Sequence, residues 1–153
     1  MLCCALLRSA SQISPTLRGT AVVEGLRTVG GRRLAVATAY NDEVNARLTV
    51  FLKESGFEVV KLKGLGITDM DSPGKVTEPE LLKFSVDVHA SARESNAMLV
   101  SCGGLRTLEI LAPLEQQTHV PAVSSTPHAL RAGVRLLGLS GKVNGFGTLL
   151  AKG

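Results

Sequence analysis

The chain has 153 residues, of which 44% are hydrophobic and 20% charged, so it is long enough for one globular core and unlike a disordered, collagen-like or disulfide-rich chain. Its 16 glycines, single tyrosine and lack of tryptophan favour a parallel sheet covered by helices over a β-sandwich or an aromatic platform for nucleic acid. The formal net charge of +4 comes from scattered lysines and arginines, a distribution that fits small anionic ligands and argues against a nucleic-acid partner.

The three cysteines, Cys3, Cys4 and Cys102, have the spacing of neither a zinc site nor a disulfide framework. We therefore expect a reducing compartment, the cytoplasm, and no bound metal. No apolar run is long enough to span a membrane, so we expect no membrane partner.

Residues 1–20 differ in composition from the remainder, since they include no acidic residue, several serines and a short apolar patch over residues 2–7. We expect an atypical or disordered start that precedes one α/β lobe over residues 21–153. A targeting peptide is the alternative, because transit peptides are rich in arginine and serine and poor in acidic residues.

From residue 21 onward, two hydrophobic patterns alternate. Continuous apolar runs predict buried strands, and apolar residues three or four positions apart predict helices. In chain order we predict a helix over 21–29, a strand over 34–38, a helix over 41–54, a strand over 57–62, a helix over 78–94, a strand over 97–101, a helix over 107–117, a strand over 119–123 and a helix over 126–137. This alternation predicts an α/β fold, a Rossmann-like or flavodoxin-like parallel sheet of about four strands with helices on both faces.

The thiol of Cys102 is the sharpest chemical feature of the sequence. Ligands of such sheets bind beyond the carboxyl ends of the strands, and Cys102 follows the third strand, before Gly103, Gly104 and a predicted helix. The glycine amides can form an oxyanion hole, and a helix terminus favours a carboxylate. The alternative is a small buried residue ahead of a tight turn.

Tyr40 is the second candidate, because it follows the first strand and is the only tyrosine. Its hydroxyl can donate to a carboxylate or to a developing enediolate, whereas the alternative is an amphipathic residue at the rim of the sheet. Asn41, next to it, is most simply a helix cap.

The remaining polar features carry weaker signals. The histidines, His89, His119 and His128, have no metal-ligand spacing, and we expect a solvated or capping role for each. The glycine-rich residues 64–68 fit no phosphate-binding fingerprint and are predicted to form a pocket wall. Residues 138–147 are predicted to be a tail or closing loop.

The chain resembles the arylmalonate decarboxylase and maleate cis-trans isomerase group of the aspartate/glutamate racemase superfamily, and is most similar to arylmalonate decarboxylase. The resemblance rests on four segments, LAVATAYNDEVNARL (34–48), LKGLGIT (62–68), LVSCGGLRTLEIL (99–111) and VPAVSSTPHALRAGVRLLGL (120–139). It implies a cofactor-free enzyme of two similar α/β lobes with the active site between them, of which this chain supplies one racemase-type lobe.

The resemblance also implies a chemistry. In such decarboxylases a disubstituted malonate loses one carboxylate as CO2, hydroxyl and backbone N–H donors hold the resulting enediolate, and one cysteine protonates it. By position, Cys102 is then the proton donor, and Tyr40, Asn41, Gly103 and Gly104 bind the substrate. An ordinary thiol is largely protonated at neutral pH, as a proton donor requires.

Several alternatives stay open. The isomerases and racemases of this group use a second cysteine from the opposite lobe, so a maleate isomerase or an Asp/Glu racemase-like enzyme is one alternative. A counterpart of the relatives' first lobe, ahead of about residue 21, is not recognisable, so a truncated, inactive relative or a homodimer is another. A nucleotide-binding domain is a third, although the phosphate fingerprint is missing.

Overall fold

The computed structural model describes residues 14–153. In chain order its elements are helix α1 (Ser14–Thr28), strand β1 (Arg33–Thr38), α2 (Asp42–Glu54), β2 (Glu58–Gly64), a 3₁₀ turn (Ser72–Lys75), α3 (Glu78–Ala90), β3 (Ala97–Ser101), α4 (Leu111–Thr118), β4 (Ala122–Ser124), α5 (Ser125–Leu136) and α6 (Thr148–Lys152). Within residues 14–153, no helix combines the length and apolar character needed to cross a membrane.

The four strands form one sheet in the order β2-β1-β3-β4, and every neighbouring pair is parallel. β1 is central and pairs with β3 from Leu34 opposite Ala97 to Thr38 opposite Ser101. β2 and β4 are the outer strands. The predicted four-stranded parallel sheet is therefore confirmed.

Two apolar clusters cover the two faces of the sheet. Because successive strand residues point to opposite faces, alternate residues of β1 and β3 enter different clusters. Ala35 and Met98 pack in the cluster that includes α3 and α4 residues such as Leu114. Val36 and Leu99 pack in the other, which includes residues of α1, α2 and α6. Helices thus cover both faces, as predicted.

The first helix begins earlier than the sequence predicts. α1 starts at Ser14 rather than at residue 21, so it runs across the boundary expected at residue 20. Residues 14–20, expected to belong to an atypical or disordered start, are helical, while residues 1–13 lie outside the described residues. Pro15 is the overlooked signal, since proline is tolerated in the first turn of a helix, where its missing N–H costs no hydrogen bond.

The region after β3 also departs from the prediction. α4 begins at Leu111 rather than at residue 107, which places Pro113 in its first turn, and His119 ends it in the left-handed conformation (φ 59°). Residues 138–147 are followed by α6, a helix that was not predicted. Glu115 of α4 joins this helix to β4. One of its carboxylate oxygens accepts the N–H of Thr148 in α6 at 2.8 Å, and the other accepts the N–H of Ala122 in β4 at 2.8 Å.

Candidate active site

Cys102 lies directly after β3, with 7% of its surface exposed. The register places Thr38 of β1 opposite Ser101 of β3, so the residues that follow each strand leave the sheet side by side. Tyr40 is half-buried and packs against the apolar cluster to which Cys102 belongs. The two principal candidates of the sequence analysis therefore lie at the same edge of the sheet.

The loop after β2 runs along the turn that carries Tyr40. The N–H groups of residues 65–67 donate to three successive carbonyls, those of Thr38 (3.0 Å), Tyr40 (3.2 Å) and Ala39 (2.8 Å). Further along this loop, Pro73 is buried against the turn after Cys102, since a Cβ built on Gly104 would lie 2.9 Å from the Pro73 Cβ. The loop thus joins the ends of β1 and β3, and a pocket wall over residues 64–68 stays a prediction.

The turn after Cys102 presents backbone donors. The Leu105 N–H donates to the Cys102 carbonyl at 3.3 Å and closes the turn. Gly103 and Gly104 are exposed, and no acceptor in residues 14–153 takes their N–H groups. Both amides therefore have no acceptor within the described residues, and substrate binding by Gly103 and Gly104 stays a prediction.

The predicted influence of a helix terminus on Cys102 is wrong. α4 starts only at Leu111, and the intervening residues form turns. Two side chains anchor those turns to the sheet, since Thr107 Oγ1 and Ser124 Oγ are both buried and lie 2.5 Å apart. Any oxyanion stabilisation at Cys102 therefore comes from individual donors rather than from the end of α4.

Asn41 acts as the N-cap of α2, since its Oδ1 accepts the Val44 N–H at 3.0 Å. This is the simpler of the two roles predicted for it. Its Nδ2 has no acceptor among the described residues and remains available at the edge that carries Tyr40. A substrate-binding role for Asn41 stays a prediction.

The solvated role predicted for His128 is wrong, whereas its contact with the backbone of Ser124, the N-cap of α5, agrees with a capping role. α5 follows β4 without a loop, and only 2% of His128 is exposed. His128 Nδ1 lies 2.7 Å from both the backbone nitrogen and the carbonyl oxygen of Ser124, so it accepts from the first or donates to the second according to its tautomer. Burial lowers the pKa of His128 to about 4, so its ring is neutral at physiological pH. The four-residue spacing of Ser124 and His128 is the signal in the sequence that was overlooked.

The other histidines are less buried. His119 is exposed and ends α4 as its C-cap, in agreement with the capping role predicted. His89 is half-buried in the last turn of α3 and has a lowered pKa, caused first by desolvation and then by the charge of Arg93. Within residues 14–153, no group of three or more histidine, cysteine, aspartate or glutamate side chains could hold a metal ion.

A cavity of about 660 Å³ lies between α5, the segment after Cys102 and the loop before α6. Its lining includes neither Cys102 nor Tyr40. The surface that lines it is mostly apolar, and the lining residues include Leu105, Leu108, Leu130, Arg131, Lys142 and Val143. Beside it, leucines of α5 and the following loop are exposed, among them Leu130 and Leu137.

A family model described as arylmalonate decarboxylase matches residues 3–150. The arylmalonate decarboxylase of Bordetella bronchiseptica is 40% identical over 144 residues, which cover 94% of this chain and 60% of that protein. The maleate isomerase of Nocardia farcinica (strain IFM 10152) is 25% identical over 131 residues, covering 85% of this chain and 51% of that protein.

A crystal structure of arylmalonate decarboxylase superposes with a TM-score of 0.83 at 39% identity, over 89% of this chain and 60% of that one. The chain thus spans about three-fifths of the length of the decarboxylase relative and about half that of the isomerase. The resemblance to this group of the racemase superfamily is confirmed over nearly the whole sequence. In sequence and in fold, the chain belongs to the arylmalonate decarboxylase family.

Proposed function

We propose that this chain carries the protonating lobe of a cofactor-independent decarboxylase of arylmalonates, 2-substituted malonic acids. The observation that carries the proposal is the position of Cys102, a buried thiol beside two glycine amides at the edge that also carries Tyr40. Membership of the arylmalonate decarboxylase family supports the same chemistry.

The reaction proceeds in two steps. The bond between Cα and one carboxylate breaks, CO2 leaves, and the electron pair remains on Cα and spreads onto the second carboxylate as an enediolate. The Cys102 thiol then transfers its proton to Cα, and the resulting thiolate takes a proton from water. Preorganised hydrogen-bond donors stabilise a transition state most strongly where negative charge develops, here on the enediolate oxygens. We assign this role to Tyr40 Oη and to the amides of Gly103 and Gly104. Asn41 Nδ2 is a further donor to the substrate.

Sequence similarity favours the decarboxylase over the isomerase, since the arylmalonate decarboxylase relative is 40% identical and the maleate isomerase relative is 25% identical. Between residues 14 and 153, Cys102 is the single cysteine. The ligand is then a small dicarboxylate, and the cytoplasm is the compartment that keeps Cys102 reduced. A second copy of the chain is the partner proposed to cover the exposed leucines.

The test is product formation from phenylmalonate by the purified chain. We expect phenylacetate and CO2, and a fall in kcat of about 100- to 10,000-fold in Cys102→Ala, because the proton donor is removed. The double variant Cys3→Ser/Cys4→Ser is the matched control and should retain turnover. With 2-methyl-2-phenylmalonate, one enantiomer of the product should predominate, because a fixed thiol protonates one face.

Three results would contradict the proposal. Equal turnover in Cys102→Ala would remove this thiol from the mechanism. Conversion of maleate to fumarate that is lost in both the Cys102 variant and the double variant would assign the chain to the isomerases. A folded chain without turnover of phenylmalonate or maleate would make it an inactive relative.

A further inference from the structure

Two buried side chains hydrogen-bond the backbone of Tyr40, one at its N–H and the other at its carbonyl. Thr38 Oγ1 accepts the Tyr40 N–H at 3.2 Å and donates to Asn45 Oδ1 at 2.7 Å. Asn45 Nδ2 in turn donates to the Tyr40 carbonyl at 3.1 Å. The three residues form a closed chain of hydrogen bonds between the end of β1 and the second turn of α2.

Local preferences disfavour asparagine at this position. Asn45 lies inside α2, where asparagine is a weaker helix former than alanine or leucine. It is 5% exposed and Thr38 is fully buried, and burial of polar groups costs free energy unless they are hydrogen-bonded. The α2 N-cap is already supplied by Asn41, so capping does not explain Asn45. The side chain of Asn45 instead hydrogen-bonds the backbone carbonyl of Tyr40.

The end of β2 leaves room for this arrangement. A Cβ built on Gly64 would lie 2.1 Å from the Tyr40 carbonyl oxygen and 2.4 Å from Asn45 Nδ2. The Gly66 N–H also donates to the Tyr40 carbonyl, at 3.2 Å. Three elements therefore converge on the backbone N–H and carbonyl of Tyr40, the residue whose side chain is a candidate donor to the enediolate.

We infer that Asn45, together with Thr38, is a positioning residue of the active site. The two side chains fix the backbone of Tyr40 and so orient the Tyr40 side chain toward the edge of the sheet where Cys102 lies. This inference rests on the proposed function, in which Tyr40 donates to charge that develops in the transition state. Displacement of such a donor by about 1 Å can lower a rate by about 100-fold.

The test compares side chains of matched shape. Thr38→Val removes both hydrogen bonds of the hydroxyl, whereas Thr38→Ser keeps the hydroxyl and should rescue. Asn45→Asp replaces the Nδ2 donor with an oxygen that faces the Tyr40 carbonyl. Thr118→Val is the control, since Thr118 is also a buried threonine with a hydrogen-bonded hydroxyl, which donates to the Leu114 carbonyl at 2.7 Å, away from Tyr40.

Two readouts separate positioning from stability. Tyr40 is the only tyrosine, so the chain labelled with fluorotyrosine gives a single fluorine NMR signal. We expect Thr38→Val and Asn45→Asp to shift or broaden this signal, and Thr38→Ser and Thr118→Val to leave it unchanged. In phenylmalonate turnover, the first two should lower kcat by about 10- to 100-fold with little change in KM, because the lost stabilisation belongs to the transition state.

An unchanged Tyr40 signal in Thr38→Val would overturn the inference, and so would equal kcat values in Thr38→Val and Thr118→Val. If Asn45→Asp does not fold, the Thr38→Val and Thr38→Ser pair decides alone. Absence of turnover in the unmodified chain would refute the proposed function, and the fluorine signal would then show separately whether Thr38 and Asn45 hold Tyr40 in place.

Discussion

We expect Gly64→Ala to lower the free energy of unfolding by about 3 kcal/mol or more, because the added methyl group overlaps atoms that cannot move away. Its Cβ would lie 2.1 Å from the Tyr40 carbonyl oxygen, a backbone atom. Hydrogen bonds from Thr38 and Asn45 restrain the backbone of Tyr40. The steric overlap can therefore be removed only if β2 separates from β1 or the turn at Tyr40 breaks.

Urea denaturation followed by circular dichroism measures this change. Gly133→Ala is the control, because Gly133 lies inside α5 and a Cβ there meets nothing within 4 Å. We expect that control to raise the free energy of unfolding by as much as about 1 kcal/mol, the helix preference of alanine over glycine. Equal stability of Gly64→Ala and the unmodified chain would show that the Tyr40 turn is packed differently.

Acidification is expected to remove about 3 kcal/mol of stability between pH 7 and pH 4 through His128 alone. Burial lowers the pKa of His128 from 6.5 to about 4 in the folded protein. Between these values the unfolded chain binds a proton that the folded chain does not, so lowering the pH favours unfolding. Above pH 6.5 the histidine is neutral in both states and contributes no pH dependence.

The measurement is the free energy of unfolding against pH for the unmodified chain and for His128→Asn. The asparagine amide offers both an acceptor for the Ser124 N–H and a donor for the Ser124 carbonyl near the position of Nδ1, and it does not titrate. Carboxylates contribute equally to both proteins, so the difference between the two curves isolates His128. Parallel curves over this range would mean that His128 is hydrated or paired in the folded protein.

The strands were predictable because a buried parallel strand leaves a continuous apolar run. β3 begins and ends where the sequence predicts, and the candidate residues Tyr40 and Cys102 follow from the strand ends. The starts of α1 and α4 were misplaced where a proline marks the first helical turn. α6 escaped prediction because the N–H and the hydroxyl of its first residue, Thr148, donate to Glu115, a partner distant in sequence.

The roles of the buried polar residues Thr38, Asn45 and His128 could not be predicted from the sequence, for a related reason. Thr38 lies within an apolar run, and Asn45 carries no local sign that its amide binds a peptide beyond the helix start. His128 is buried on α5, and this helix packs on α1, an element distant from it in sequence. A sequence pattern shows which residues of one helix or strand are buried. The roles of these residues depend instead on which helices and strands pack against each other.

The two outer strands differ in a way that bears on aggregation. A sheet edge offers unpaired N–H and C=O groups to which another chain can add a strand. Along β2 the side chains of Lys61 and Lys63 are exposed, and their charges oppose such addition. β4, at the other edge, is three residues long and offers little to pair with. Fibre growth through the edges of this sheet is thus disfavoured, even during brief opening of the fold at high protein concentration.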